Sequence, residues 1–240
     1  MGVDYQPRVV RGRIEMWVPH KGKEIAFTYP FVGPDTYLNV GRKIFESIQE
    51  VPTGDYTASL LHAAFCNNSV REEPEFKDVR SIISNRRLLV FNKNLWTQEG
   101  VYVIQNTKVK GSIESLNVRD LEEKLKDGKE INRIRFSEDA KVRFAPKGSY
   151  GRGYITSEEF AKDGFIIASF NLEGAEKLGE VSTKFKNKPY LYSLNIEKGK
   201  SPELRFSTFG MGLNGDGLGV SGSDLVDCGD GFAFGVEISA

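Results

Sequence analysis

Residues 87–91 read Arg87-Leu-Leu-Val-Phe91, and residues 100–105 read Gly100-Val-Tyr-Val-Ile-Gln105. Both runs are short, rich in aliphatic, β-branched and aromatic side chains, and bounded by polar segments. That is the composition of strands fitted to a pleated, buried sheet. The intervening segment from Asn92 to Glu99, which carries Trp96, reads as their connection. Just upstream, Tyr56 to Asn67 is apolar nearly all round, and a helix of that kind is buried rather than laid on a surface. Clear strands beside a buried helix give an α+β fold: a mixed, mainly antiparallel sheet with helices packed on it.

Working outward, residues 8–31 alternate in strand fashion through Val9, Val10, Ile14, Met16 and Val18, then Ile25, Phe27 and Tyr29. The break at Pro19-His20-Lys21-Gly22-Lys23 predicts a hairpin. Gly33-Pro34-Asp35 opens a helix that Asp35 can cap, with Tyr37, Leu38, Val40, Ile44, Phe45 and Ile48 at helical spacing. Pro52-Thr53-Gly54-Asp55 starts the buried helix. A further helix is expected over 72–84, facing inward through Phe76, Val79, Ile82 and Ile83. Downstream, Asn117 or Ser115 caps a charged helix over 119–127, and strands follow near 131–136 and 141–145. The order from there is helix 157–163, strand 165–170, helix 172–185, strands 190–197 and 203–209, and a closing strand over 232–238. The stretch 165–197 thus reads as a βαβ-like unit. One domain over 1–240 is favoured, the alternative being two packed subdomains split near 110. Residues 106–118 and 146–156 are the softest boundaries.

Composition narrows the function classes. The chain has 240 residues, 39% hydrophobic and 28% charged, which is globular rather than disordered. Lys+Arg and Asp+Glu are both 33, so any attraction to nucleic acid or a membrane must be local. Cys66 and Cys228 make neither a disulfide framework nor a zinc site with paired close ligands. Met1 to Glu15 holds no apolar signal-peptide core. Tyr5-Gln6 after Gly2 argues against myristoylation. No apolar run approaches the roughly 18 residues that span a bilayer. A cytoplasmic protein with no membrane partner is the expectation. No oligomeric state follows from the sequence, and neither a Walker A pattern nor G-x-G-x-x-G names a cofactor.

Three constellations carry chemistry. On the buried helix, Asp55, Ser59, His62 and Cys66 fall within about a 60° sector. His62 and Cys66 at i, i+4 can touch, a histidine that takes the thiol proton makes a nucleophile, and Asp55 can orient that histidine. The competing reading is an unreactive buried thiol beside a core histidine. As metal ligands, Cys66 and His62 would need two more partners that the sequence does not name.

The second constellation runs Lys141-Val-Arg-Phe-Ala-Pro-Lys-Gly-Ser-Tyr-Gly-Arg-Gly-Tyr154 and contains no acid. Lys141, Arg143, Lys147 and Arg152 supply charge for phosphate, while Tyr150 and Tyr154 offer rings on which a base can stack. Thr156-Ser157 then caps a helix whose N-terminus adds positive potential. Arg86, Arg87 and Lys93 are a second basic cluster that could adjoin it. The competing reading is a solvated loop. Third, the Asp- and Gly-rich tail, Asn214-Gly-Asp-Gly-Leu-Gly with Asp224, Asp227 and Asp230, hints at a calcium loop. Leu218 stands where an oxygen ligand belongs, so tight turns between short edge strands fit better.

Residues 165–196, with Ala175 and Phe185 on their helix, are similar to the middle of ADP-ribosyltransferases, where a strand bearing Ser-Thr-Ser precedes a helix and a strand. Only Ser169 of that motif is present. Val236-Glu237-Ile238 offers one carboxylate where the family has a Glu-x-Glu pair, so the chain is not assigned to it.

The functional expectation is therefore a protein that binds or processes a phosphate-bearing ligand, nucleotide or nucleic acid, through the basic aromatic loop. A Cys/His-dependent transferase or hydrolase is the enzyme alternative. A partner-binding domain without a small ligand is the third.

Overall fold

A computed structural model describes residues 5–10, 15–105, 109, 116–213 and 215–237. Gly2, Ile14, Ser115, Asn214 and Ile238, used in the sequence reading, lie outside these residues, as does most of the soft segment 106–118.

The chain opens with a three-stranded antiparallel sheet of β1 (Arg8–Val10), β2 (Glu15–His20) and β3 (Lys23–Thr28). Its β2–β3 turn is Lys21-Gly22, both at positive φ, as a two-residue hairpin requires. After β4 (Val32–Asp35) comes α1 (Tyr37–Glu46). The cap of α1 is Thr36, whose side chain accepts from the Asn39 N–H at 3.3 Å, and not Asp35, which instead binds the Lys43 ammonium at 2.8 Å. The helix buries Tyr37, Val40 and Ile44 but leaves Phe45 63% exposed, and Ile48, past the end of the helix, is 85% exposed, so neither joins its core face.

α2 (Gly54–Cys66) is capped by Thr53 and buried along most of its length, as its all-round apolar sequence requires. α3 (Pro74–Asn85) follows, with proline in its first turn, where the missing N–H costs nothing. β5 then runs from Arg87 to Trp96 and β6 from Gly100 to Gln105. The segment expected to be a connection is thus largely strand. Asn92 and Asn94 are buried on it: Asn94 donates to Ser207 Oγ at 2.8 Å and the Gly222 carbonyl at 3.1 Å, and the Trp96 indole donates to the same carbonyl at 2.8 Å.

α4 (Val118–Leu125), capped by Asn117, leads into β7 (Lys129–Ile131), β8 (Ile134–Phe136), β9 (Val142–Pro146) and β10 (Gly153–Tyr154). α5 (Ser157–Lys162) starts on a full capping box between Thr156 and Glu159. Residues 165–170 are not a strand, so there is no βαβ unit here. They form the first turns of α6 (Gly164–Ser182), which Asp163 caps through the Phe165 and Ile166 N–H groups. A short apolar run is compatible with either a buried strand or a buried helix, and tertiary packing decides. α6 is broken at Asn171, which has φ 56 and ψ −178. The break frees the Ser169 carbonyl, and the buried amides of Asn92 and Gln105 donate to it at 3.2 and 3.1 Å.

The remaining strands are β11 (Tyr190–Tyr192), β12 (Glu203–Met211), β13 (Leu218–Asp224) and β14 (Gly231–Ala233). Among the described residues, 11 strands join one large sheet with the path β10-β11-β13-β12-β5-β6-β9-β8-β7, and β14 pairs both β4 and β5. Most pairings are antiparallel; β11 with β13 and β14 with β5 are parallel. The glycine-rich tail does turn at 215–217 and 226–230, but β13 between those turns is an inner strand of the sheet, not an edge. Strands from both sides of residue 110 alternate in this one sheet.

Alternation gives the sheet two faces. Leu88, Val90, Phe209 and Val220 point to the main core, packed against α2, α3 and α6. Leu89, Phe91 and Phe206 point the other way and are covered by Tyr37, Val40 and Ile44 of α1. Further along that outer face, Leu121 and Leu125 of α4 cover Leu95, Tyr102 and Phe144.

Candidate functional site

The outer face is apolar only where a helix covers it. At the β10–β11–β13–β12 end, its in-register residues change character. Tyr192, Ser221 and Thr208 stand in one row; Tyr154, Tyr190, Gly219 and Gly210 stand in the next. The two opposed glycines put no side chain on the floor, and the tyrosines rise beside it. Tyr154 and Tyr190 meet edge to face with ring centres 4.8 Å apart, and Tyr190 and Tyr192 are tilted at 4.3 Å. The result is a ladder of three rings ending at a cleft of about 390 Å³, bounded by Ser84 to Arg87 on one side and Asp224 and Asp230 on another.

The polar groups of the cleft are tied together. Asp224 accepts from the Thr208 hydroxyl and, at 3.1 Å, from Ser221. Arg87 lies 3.7 Å from Asp224 and 3.3 Å from Asp230, which raise its pKa against the effect of burial. Burial first, then the neighbouring Tyr190, Tyr154 and Asp224, hold the Tyr192 hydroxyl above its ordinary range. Arg86 is exposed on the rim. With two arginines and two aspartates the lining is balanced in charge, and it is rich in hydroxyls.

The basic loop does not converge as one surface. Arg143 lies on β9, only 3% exposed, in a forked pair with Asp55 at 3.0 and 3.2 Å. Burial pushes the Asp55 carboxyl up, but the Arg143 guanidinium, then Lys21 and Asn171, outweigh it and hold the carboxyl below the usual range. Tyr150 is half-buried, its ring edge-on to Trp96 at 5.4 Å, and burial raises its hydroxyl to about 12. Lys141 sits 3.8 Å from Asp139, while Lys147 and Arg152 are exposed. Only Tyr154 of the loop joins the ring ladder. Of the second basic cluster, Arg86 and Arg87 line the cleft, whereas Lys93 lies further along β5 opposite Phe206 and Ile104.

The helix constellation is also divided. Asp55 is engaged by Arg143, Lys21 and Asn171, and so does not orient His62. His62 Nε2 meets Glu180 Oε2 at 2.9 Å, and Ser59 pairs with His20 and Lys177 instead. Burial, then the Glu180 charge, pushes the Cys66 thiol up to about 12, which keeps it protonated at neutral pH.

No family model matches the sequence, and no curated protein matches it. One solved chain, described in terms of the accommodation of massive sequence variation in Nanoarchaeota by the C-type lectin fold, is similar in structure. It has a TM-score of 0.48 and 12% identity over 86% of this chain and 95% of that one. That likeness assigns neither a family nor a ligand. Among the described residues, no helix is long and apolar enough to cross a membrane.

Tyr190, Tyr192, Thr208 and Ser221 were not legible as site residues. Their signal is the period-2 alternation of Tyr190-Leu191-Tyr192, which puts two rings on one face. It becomes informative only once β11 is known to lie beside β13. Glu180 carries no signal at all until α6 is placed against α2.

Proposed function

We propose that this chain is a binding protein for a ring-bearing, hydroxylated ligand of the nucleotide class, taken on the uncovered end of the outer sheet face. The observation that supports it is the ladder Tyr154–Tyr190–Tyr192 leading into a cleft of hydroxyls and carboxylates with Arg86 on its rim. A base stacks on a tyrosine ring, ribose hydroxyls bond to Asp224 and Ser221, and a phosphate meets Arg86. The reading keeps the ligand class expected from the sequence but moves it from the basic loop to the ring ladder. The Cys/His enzyme alternative has less support, because Asp55 is spent on Arg143 and Asn171 and does not orient His62, which meets Glu180 instead.

The test is a titration with nucleosides, mononucleotides, single-stranded oligonucleotides and free sugars at several salt concentrations. Tyr192→Ala should weaken binding by about 1–3 kcal/mol. Arg86→Ala should flatten the dependence of log affinity on log salt by about 0.7, one phosphate contact on a single strand. Binding of free sugars without nucleotides, or no binding of any of these, overturns the proposal.

A further inference from the structure

A second donor set lies in the helical layer on the other side of the sheet. His62 and Cys66 stand one turn apart near the end of α2, and Glu180 reaches them from α6. One atom from each, an imidazole nitrogen, the thiol sulfur and a carboxylate oxygen, all lie within 4.8 Å of one another. His62 and Cys66 are half-buried and Glu180 is exposed, so an ion can enter from solvent. Zinc holds sulfur at about 2.3 Å and nitrogen or oxygen at about 2.0–2.2 Å. Tetrahedral ligand atoms are then roughly 3.3–3.7 Å apart. From the present spacing, within 4.8 Å, the donors need to close by about 1 Å to reach it.

We infer that His62, Cys66 and Glu180 form a three-ligand site for a zinc-class divalent ion, with its remaining coordination position open to solvent. The donor set selects the ion. A thiolate and an imidazole favour zinc over the oxygen-seeking magnesium and calcium. One thiolate and one carboxylate neutralise the two positive charges. The carboxylate is also held in place: its second oxygen, Oε1, lies 3.9 Å from the Lys184 ammonium, leaving Oε2 toward His62. Next to this set, Phe65, which precedes Cys66 on α2, and Phe185, three residues past the end of α6, pack with tilted rings 5.1 Å apart. On coordination, the Cys66 S–H bond is exchanged for a sulfur–metal bond and the proton leaves to solvent. Such an ion would clamp the end of α2 to α6.

The experiment uses the full chain, reduced with a phosphine, stripped of metal and titrated with Co²⁺ and then Zn²⁺. One equivalent of cobalt should bind and give a thiolate-to-cobalt charge-transfer band, which zinc then bleaches. Cys66→Ser should abolish the band, and His62→Ala and Glu180→Gln should each weaken binding by at least about tenfold. Cys228→Ser, which removes the other thiol, should leave the band intact. Circular dichroism of each variant confirms that it is folded. No band at stoichiometric cobalt, a band that survives Cys66→Ser, or affinities unchanged by His62→Ala and Glu180→Gln would overturn the inference. Because the cleft lies on the opposite face, none of these outcomes bears on the nucleotide reading.

Discussion

At the scale of single residues, the most consequential contact is the buried fork between Arg143 and Asp55. The sequence places these residues 88 positions apart in two different constellations, and the fold spends both on each other. That is why neither candidate site assembled as expected: a run of cations says nothing about which of them turns inward. The pair is asymmetric. If Arg143 is removed, Asp55 still has the Lys21 ammonium at 3.2 Å and the Asn171 amide. If Asp55 is removed, Arg143 keeps the neutral carbonyls of Ala140 and Ala168 and the Phe136 ring, and among the described residues no other carboxylate pairs with it. Asp55→Ala should therefore cost about 3–5 kcal/mol, the usual result of stranding a buried charge, and Arg143→Ala clearly less. Chemical denaturation of both variants checks the order; equal costs, or the reverse, would show that Lys21 does not compensate. The same pair gives a pH dependence. Its folded carboxyl titrates below the unfolded one, so its stabilisation is complete above about pH 4 and is lost as pH falls through the lower, folded value. Acid titration of wild type against Asp55→Ala should show that this part of the acid sensitivity is missing from the variant.

At the scale of elements, most helices and strands were legible because their cues are local. Thr53, Asn117 and Thr156 cap the helices that follow them, and α2 announces its burial by being apolar all round. Leu60 and Leu61 are 1% and 0% exposed, so either changed to alanine should cost about 2–5 kcal/mol, read as a lowered midpoint of denaturant unfolding. An unchanged midpoint for both would mean that the surrounding core closes over the space. What was not legible is decided by tertiary structure. The run Phe165 to Phe170 has strand composition, yet it is helical because Asp163 caps it and Asn92 and Gln105 satisfy the carbonyl freed at its break. The two amides doing so sit on β5 and β6, far off in sequence. Asn92 and Asn94 looked like loop residues for the complementary reason: their partners are Ser169, Ser207 and Gly222, invisible from the local pattern.

At the scale of the whole molecule, the sheet order determines what can stand alone. β5 and β6, from the first half of the chain, lie between β12 on one side and β9 on the other, both from the second half. β5 pairs with β12 along most of its length, from Leu88 opposite Phe209 to Trp96 opposite Glu203. β6 pairs with β9 from Gly100 to Ile104. The main core likewise mixes α2 and α3 with α6. A cut near 110 would leave the first fragment with two bare edges on a two-stranded core, and the second with its sheet split between β12 and β9. Exposed edges flanked by Leu88, Val90, Val101 and Val103 favour aggregation over folding. Fragments 1–110 and 111–240 made separately should therefore lack the dispersed amide spectrum of the intact chain, and mixing them should restore it only in a one-to-one complex. Either fragment folding cooperatively by itself would show that the two halves are independent units despite the shared sheet. The same order explains why the open face lies where it does. α1 and α4 cover the strands near them on that side, whereas α5 and α6, which follow β10, pack into the main core on the other face, and among the described residues no helix covers the outer side of β10, β11 and β13.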